Sequence, residues 1–479
     1  MSSFDVQYNR TKVIATIGPA SAHPDVLTEL IEAGVDVCRL NFSHGGHDEL
    51  QEIIEDIRKI NKARKSHVCI LCDLQGPKLR LGEIENGFTV WEKDDIVIFS
   101  TVPAMGTRLK VYITYQEFPK DVAIGDKILV DDGKLELQVV DTNRKDEVTA
   151  VVTYGGVVAS KKGVNLPNTL ISLPSLTEKD MEDLEFALKN DVEWVGLSFV
   201  RKPEDIIQLK EIILARKKKT RVIAKIEKPE AVRNIDEIIA VTDGIMVARG
   251  DLGVELPMEQ VPLIQKKIVK RCMAASKPVI IATQMMESMI TNPKPTRAEA
   301  NDVANAVMDG ADAVMLSAET SVGKYPIRVV EYMVKIISNI EADRAIYNVK
   351  YSLNKQSSTF LSDAVCLNAV LMSKEVNARA IISMTQSGYT ALKISSFRPE
   401  AKVFIFSSDP QLLNAINLIW GVRGFLYDKY STTDETFNDV IKLLKNEHYL
   451  DTGDLVINTA SMPIHEKGRT NALKISVVE

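Results

Sequence analysis

From Thr11 onward, short apolar runs rich in β-branched residues alternate with amphipathic stretches. The strand-like runs are TKVIATIG (11–18), VDVCRLNFS (35–43), VCILCDL (68–74), WVGLSFV (194–200), RVIAKIE (221–227), DGIMVARGD (243–251), KPVIIATQM (277–285) and ADAVMLSAE (311–319). Most are apolar nearly throughout, which is the pattern of a parallel strand covered on both faces. Helix-like segments such as HDELQEIIEDIRKINKAR and QVPLIQKKIVKRCMAAS separate them, several opening with Asp, Thr or Pro as helix starts do. Eight such strand–helix pairs predict an α/β chain built on a (β/α)8 (TIM) barrel.

The series is interrupted once. Residues 77–163 show no helical period; they carry alternating or valine-rich runs such as FTVWEKDDIVIFS, RLKVYITY and EVTAVVTYGGVVA, punctuated by Gly125-Asp126, Asp132-Gly133 and Gly155-Gly156. They predict a small all-β domain, of β-barrel type, inserted after the third strand and placed to act as a lid on the C-terminal rim. Residues 1–76 and 164–342 then form the catalytic barrel. After the polar stretch YNVKYSLNKQSST a second alternation carries five strand-like runs: ARAIISMT, AKVFIFSS, VRGFLYD, DLVINTA and ALKISVV. Five strands do not close, so residues 343–479 are expected to form an open α/β domain.

Charge narrows the ligand class. Across 479 residues, 59 Lys and Arg against 65 Asp and Glu leave a net −6, so no bulk cationic field is present to hold nucleic acid or an anionic bilayer. Any anionic ligand has to be met by locally placed positive charge. No apolar run approaches the ~18 residues of a membrane-spanning helix, and MSSFDVQYNR lacks the apolar core of a secretory signal, so the expected location is cytoplasmic. Five cysteines, an odd number, argue against a disulfide framework. The CxxC of Cys69 and Cys72 falls in a strand-like run, where residues three apart face opposite sides, which argues against redox or zinc chemistry.

Inside the eight runs polar residues gather at the C-terminal ends: Arg39, Asn41 and Ser43; Asp73; Ser198; Lys225 and Glu227; Arg249 and Asp251; Thr283 and Gln284; Ser317 and Glu319. Ser198, Gln284 and Ser317 are best explained as strand terminators bonded to adjacent loops. Residues i and i+2 of a strand share a face, which puts Lys225 beside Glu227 and groups Arg39 with Asn41 and Ser43. A Lys–Glu pair alone reads as a salt bridge. Asp251 from the next strand changes that, because two carboxylates on neighbouring strands make a hard-oxygen site of the kind Mg²⁺ takes, with Lys225 left cationic beside it. Arg39 and Arg80 add positive charge at the same mouth, a pattern that suits phosphoryl transfer. No GxxxxGK[ST] or GxGxxG loop is present, so a nucleotide has to be held by side chains and the lid. His44 and His47 form an HxxH without the companion Glu of a zinc site.

The motifs TKVIATIGPAS, RLNFSHG, KKGVNLP, KIEKPEAV, DGIMVARGDLGVE, ATQMMESM, PTRAEANDVANAVMDGADAVMLSAET and SGYTALKISSFRP stand in family order, and over essentially its whole length the chain resembles pyruvate kinase. The resemblance implies phosphoryl transfer from phosphoenolpyruvate to ADP, giving pyruvate and ATP in glycolysis, by an allosteric homotetramer. It implies Glu227 and Asp251 as ligands of Mg²⁺ or Mn²⁺, a second ion carried by the nucleotide, and Lys225 as the group that stabilises charge on the transferring phosphoryl and the enolate. It also implies substrate contacts from Arg39, Lys225, the backbone of Gly250, Asp251 and Thr283, the last lying near the carbon that receives a proton. Nucleotide phosphates fall to Asn41, His44, Arg80 and Lys162.

One departure bears on the monovalent ion. Relatives that require K⁺ carry Thr, Lys and Glu at the positions of Leu74, Gln75 and Lys78, with Asn41, Ser43 and Asp73 also lining the ion site. Here Lys78 offers a fixed ammonium where the supporting acid would be, so K⁺ is expected not to be required; the competing reading has Lys78 in solvent and K⁺ still bound. In the C-terminal domain TQSGYT resembles the family's phosphate-holding turn, with Thr385, Ser387, Gly388 and Thr390 as candidate contacts to a phosphorylated effector. Gln386 stands where tight binders of fructose 1,6-bisphosphate have Lys, which leaves another sugar phosphate, a nucleoside monophosphate or no effector. Two other functions compete. A Mg²⁺-dependent pyruvate-enolate aldolase is opposed by the lid, Arg80 and Lys162; a catalytically silent sugar-phosphate sensor is opposed by the joint presence of Arg39, Lys225, Glu227, Asp251 and Thr283.

Overall fold

The computed structural model describes residues 8–43, 45–167, 169–347, 353–429, 432–462 and 468–479. Strands β1 (Lys12–Thr16), β2 (Val37–Asn41) and β3 (Cys69–Asp73) open the barrel. The insertion carries β4 (Phe88–Trp91), β5 (Ile96–Ser100), β6 (Lys110–Tyr112), β7 (Lys127–Val130), β8 (Leu135–Thr142), β9 (Glu147–Tyr154) and β10 (Gly156–Ala159), and β11 (Val164–Asn165) follows. The barrel resumes with β12 (Trp194–Leu197), β13 (Arg221–Ile226), β14 (Gly244–Ala248), β15 (Val279–Ala282) and β16 (Ala313–Leu316). Among the described residues these eight barrel strands close in the order β1-β16-β15-β14-β13-β12-β3-β2, all neighbours parallel, with β3 paired to β12 across the insertion.

The apolar runs form strands because both faces are buried. Ile14, Val37, Leu71, Trp194, Ile223, Met246, Ile280 and Met315 fill the barrel, while Val13, Cys38, Ile70, Val195 and Ala224 pack outward against the helices. Cys69 joins the inner cluster and Cys72 the outer one, and all five cysteines are buried free thiols.

Every barrel strand is shorter than its run, and three of them end in a change of conformation. β14 stops at Ala248 and Arg249–Glu255 is helical; β16 stops at Leu316 and Ala318–Ser321 is helical. After β15, Thr283 and Gln284 turn into the left-handed region, with φ of +68° and +54°. Arg249 and Asp251 therefore sit on the first turn of a helix, where spacing by two no longer defines a face. Arg-Gly-Asp has low strand propensity, and an acidic residue in the first turn complements the positive helix end.

In the insertion a six-stranded sheet (β11-β7-β8-β9-β5-β6) and the pair β10-β4 enclose their own core of Trp91, Phe99, Phe118, Ile128 and Leu137. One helical turn, Phe118–Asp121, interrupts a segment in which the sequence showed no helical period. The C-terminal domain has β17 (Ala380–Met384), β18 (Lys402–Ser407), β19 (Val422–Leu426), β20 (Leu455–Ala460) and β21 (Ala472–Val477), ordered β19-β18-β17-β20-β21 with β21 antiparallel. It packs on the N-terminal end of the barrel: Leu418 belongs to the barrel's interior cluster, and Trp194 Nε1 donates to the Ala415 carbonyl at 3.0 Å. Arg398 adds bonds to the Gly310 carbonyl (2.7 Å) and to Asp312 (3.1 Å). The C-terminal rim, facing the insertion, is left for chemistry. No described helix is long and apolar enough to cross a membrane.

Candidate active site

Strand register brings the first charges together at the rim, pairing Asn41 with Asp73 across β2 and β3, and Asp73 with Gly196 across β3 and β12. Arg39 grips Asp73 Oδ2 through Nε (3.0 Å) and Nη2, and its Nη1 donates to Thr16 Oγ1 at 3.1 Å. Lys225 reaches the same carboxylate oxygen from the other side, with Nζ 3.2 Å from Asp73 Oδ2 and 2.9 Å from Glu227 Oε1. Its third contact is Ser198 Oγ, which accepts at 2.7 Å and itself donates to the Leu74 carbonyl at 2.7 Å. Gly196 makes this meeting possible, since a Cβ there would stand 2.8 Å from Asp73 Oδ1 and 3.6 Å from Lys225 Cδ.

Three buried charges shape one another. Burial works against the Lys225 ammonium, but Asp73 and Glu227 outweigh it and hold its pKa above the ordinary lysine value. Burial also pushes Asp73 up, and Lys225 and Arg39 more than reverse it, leaving Asp73 below the usual aspartate range. Glu227 goes the other way: burial raises it, Lys225 pulls it down, and the nearby Asp251 charge raises it again, so the net shift is upward. Glu227 Oε2 accepts from the Phe199 N–H at 2.7 Å.

Asp251 lines the cleft between barrel and lid together with Lys78, Asp132, Asn165, Phe199 and Lys228. Two neighbouring carboxylates, one of them raised by the charge of the other, fit a divalent cation, and Asp73 Oδ1 beside them is buried without a hydrogen-bond partner. Among the described residues no cluster of three or more His, Cys, Asp or Glu side chains is arranged to hold a metal, so a divalent ion held by Glu227 and Asp251 would draw its other ligands from substrate and water.

Thr283 closes the rim from β15. A β-branched residue at positive φ is strained, and here three bonds fix it: Thr283 Oγ1 accepts from the Gly250 N–H (2.7 Å) and donates to the Ala282 carbonyl (2.6 Å), while Arg249 Nη2 donates to the Thr283 carbonyl (2.7 Å). The Gly250 N–H is thus already committed to Thr283. Arg249 also pairs with Asp302 at 2.7 Å and is a scaffold residue of this corner.

The nucleotide candidates divide. Arg80 and Lys162 meet at the lid hinge, where Arg80 bridges Gly163 in antiparallel fashion and its Nη1 donates to the Lys161 carbonyl at 3.2 Å. Lys162 Nζ lies 2.7 Å from Asp131. Asn41 Oδ1 accepts from the Ser43 N–H at 3.1 Å, and His44 lies outside the described residues. His47 bonds Asp183 at 2.7 Å and stacks on Phe186, which gives that half of the HxxH a packing role. Leu74 is buried, and the exposed Lys78 side chain faces the cleft near Gly163.

Sequence reasoning missed Thr16, which orients Arg39, and took Ser198 for a strand terminator although it also holds Lys225. A hydroxyl at a strand end carries no signal that separates these roles. At the C-terminal turn Thr385 Oγ1 accepts from the Gly388 N–H (3.0 Å) and Thr390 bonds Thr470 (2.6 Å), so both hydroxyls are engaged within the domain. Ser387 remains exposed, its carbonyl accepting from Arg221 Nη2 at 3.1 Å.

Residues 8–330 match the family model described as the pyruvate kinase barrel domain, and residues 363–476 match the pyruvate kinase alpha/beta domain. Pyruvate kinases of Staphylococcus aureus and Staphylococcus epidermidis are 41% identical to the chain over 470 residues, which is 98% of it and 80% of each relative. The crystal structure of a pyruvate kinase from Cryptosporidium parvum superposes with a TM-score of 0.92 at 33% identity, covering 100% of this chain and 98% of that one.

Proposed function

Because this chain belongs to the pyruvate kinase family, and so is a phosphotransferase acting on phosphoenolpyruvate and ADP to give pyruvate and ATP, we propose specific residues for each part of that reaction. Lys225, kept cationic by Asp73 and Glu227, faces the transferring phosphoryl group and the oxygen it leaves. Arg39 has five N–H donors, three of them occupied by Asp73 and Thr16, which leaves two for phosphoryl oxygens. As the O–P bond breaks, its electron pair stays on the substrate oxygen and forms the enolate. A proton added to the enolate carbon completes pyruvate, and the Thr283 hydroxyl borders the path by which it arrives. Glu227 and Asp251 would hold the protein-bound Mg²⁺ or Mn²⁺, with a second ion accompanying the nucleotide. The divalent ion, when bound, supplies charge neutralisation and a template for the reacting oxygens.

Arg80 and Lys162 receive the nucleotide phosphates from the hinge, with Asn41 and His44 beyond them; for Lys162 this means exchanging Asp131 for phosphate. Lys78, which has no carboxylate partner among the described residues, serves in place of K⁺. The enzyme is cytoplasmic and homotetrameric, the exposed apolar Val322, Leu361, Ile475 and Val477 offering surface for copies to cover. Ser387 and the backbone of Gly388 are the points at which a phosphorylated effector would be held, and Thr385 and Thr390 shape the turn.

The observation that carries this reading is the Lys225 ammonium set between Asp73 and Glu227 and anchored on Ser198. The test is pyruvate formation with Mg²⁺, with and without K⁺ at matched ionic strength, beside Lys225→Met. Turnover in both salts is expected, with a loss of at least about 100-fold in the variant. Turnover in K⁺ alone would remove the role given to Lys78. Full activity of the variant would remove the role given to Lys225.

A further inference from the structure

Asp251 and Glu227 sit on different elements, the first on the helix Arg249–Glu255 and the second just after β13. One buried contact spans that gap. Lys228 follows Glu227 directly, and its Nζ lies 2.6 Å from Glu255 Oε1. Glu255 stands one helical turn beyond Asp251 on the helix Arg249–Glu255. The same Glu255 oxygen accepts from Asn165 Nδ2 at 2.8 Å, and Asn165 belongs to β11, which pairs with β7 of the lid. Glu255 and Lys228 are 4% and 7% exposed, so the pair is shielded from water and its geometry is held firmly. Lys228 also lies 5.8 Å from the centre of the Phe199 ring, and the Phe199 N–H holds Glu227 Oε2.

We propose that Asn165, Glu255 and Lys228 form a positioning junction that sets the separation of the Glu227 and Asp251 carboxylates and couples the seating of the lid to divalent-ion affinity. The inference rests on the reading above that those two carboxylates hold the ion. A lid movement that withdraws Asn165 removes a hydrogen bond from Glu255 and leaves Lys228 as its sole partner. Glu255 is then free to pivot about its contact with the ammonium, and the helix that bears Asp251 moves with it. In the other direction, an ion that draws Glu227 and Asp251 together fixes Glu255 where its oxygen meets Asn165 and favours the seated lid. None of the three side chains needs to touch substrate or metal for this, so none is a catalytic residue.

The test uses the full chain and Mn²⁺ as the probe, with binding read directly by electron paramagnetic resonance and lid seating read by amide hydrogen exchange of β7 and β11. Asn165→Ala, Lys228→Met, Lys228→Arg and Glu227→Gln are compared after circular dichroism and thermal melting have shown which are folded. Residues that orient metal ligands from behind typically change affinity 10–100-fold on removal, so Asn165→Ala and Lys228→Met are each expected to weaken Mn²⁺ binding by about that factor. Lys228→Arg is expected to recover most of the affinity. Wild type is expected to show Mn²⁺-dependent protection of β7 and β11, and Asn165→Ala to lose it. Unchanged Mn²⁺ affinity in Asn165→Ala, or full retention of the protection in that variant, would overturn the junction. If Glu227→Gln binds Mn²⁺ as wild type does, the ion site itself is misassigned, which is a different failure. Because Asn165 is only half-buried, its truncation keeps the proposal testable even where a Lys228 variant does not fold.

Discussion

Lys225 keeps its proton in a buried position because two carboxylates lie within 3.2 Å of it, and Asp73 keeps its charge for the complementary reason. Glu319 shows the opposite balance. Its run reads as a strand end with rim chemistry, yet it lies in the helical turn after β16, accepts from the Ser317 N–H (2.7 Å) and the Met286 N–H (3.2 Å), and so pins two loops. Burial raises its pKa above the usual 4.5, and the backbone N–H groups only partly offset this. A carboxyl raised in the folded state binds more protons there than in the unfolded chain, so its contribution to stability is greatest below the unfolded value and is lost as pH rises through the folded one. Glu319→Gln is therefore expected to flatten the fall in stability between about pH 4.5 and neutrality, read from urea midpoints across that range. At this scale the contact of Lys225 with Glu227 could be read from residue type and spacing, whereas Asp251 lies on a helix where a strand was expected. The orienting hydroxyls of Thr16 and Ser198 could not, because their partners come from strands distant in sequence. The left-handed backbone of Thr283 has no local signature either, since a β-branched residue ordinarily argues against it.

Elements were read well in their existence and less well in their ends. Apolar content predicts where a parallel strand runs, but the residues that terminate β14 and β16 are those that carry chemistry, and they begin helices. Caps fix helix starts more sharply. The helix Arg297–Asp309 opens with a capping box in which Thr296 Oγ1 accepts from the Glu299 N–H at 3.2 Å and Glu299 returns a bond to the Thr296 N–H at 2.7 Å. Glu299 also accepts from the Ser288 N–H at 2.7 Å, so one side chain serves the helix and the loop before it. Thr296→Ala is expected to cost about 1 kcal/mol of stability, measured by chemical unfolding, with phosphoenolpyruvate turnover unchanged. A loss well above that would mean the Glu299 network had moved with it.

The three-domain order along the chain was legible from its changing hydrophobic period, but how the domains meet was not. The segment PQLLNAINLIW reads as an ordinary amphipathic helix, and nothing in it announces that Leu418 fills the end of another domain's barrel. Leu418 is fully buried among residues of the barrel strands, so Leu418→Ala is expected to cost about 2–5 kcal/mol. Since Trp194 and Trp420 both lie at this junction, their fluorescence should report a single transition for barrel and C-terminal domain together; two separated transitions would show that the contact does not couple them.

The sealing of the barrel by Leu418 has a consequence for how the chain is made. The strands of the barrel are complete by residue 316, but the side chain that seals them from below is encoded about a hundred residues later. During synthesis the catalytic domain therefore emerges from the ribosome with an open, apolar underside. It waits in that state until nearly the whole protein has been translated, which makes the growing barrel a natural client for chaperones.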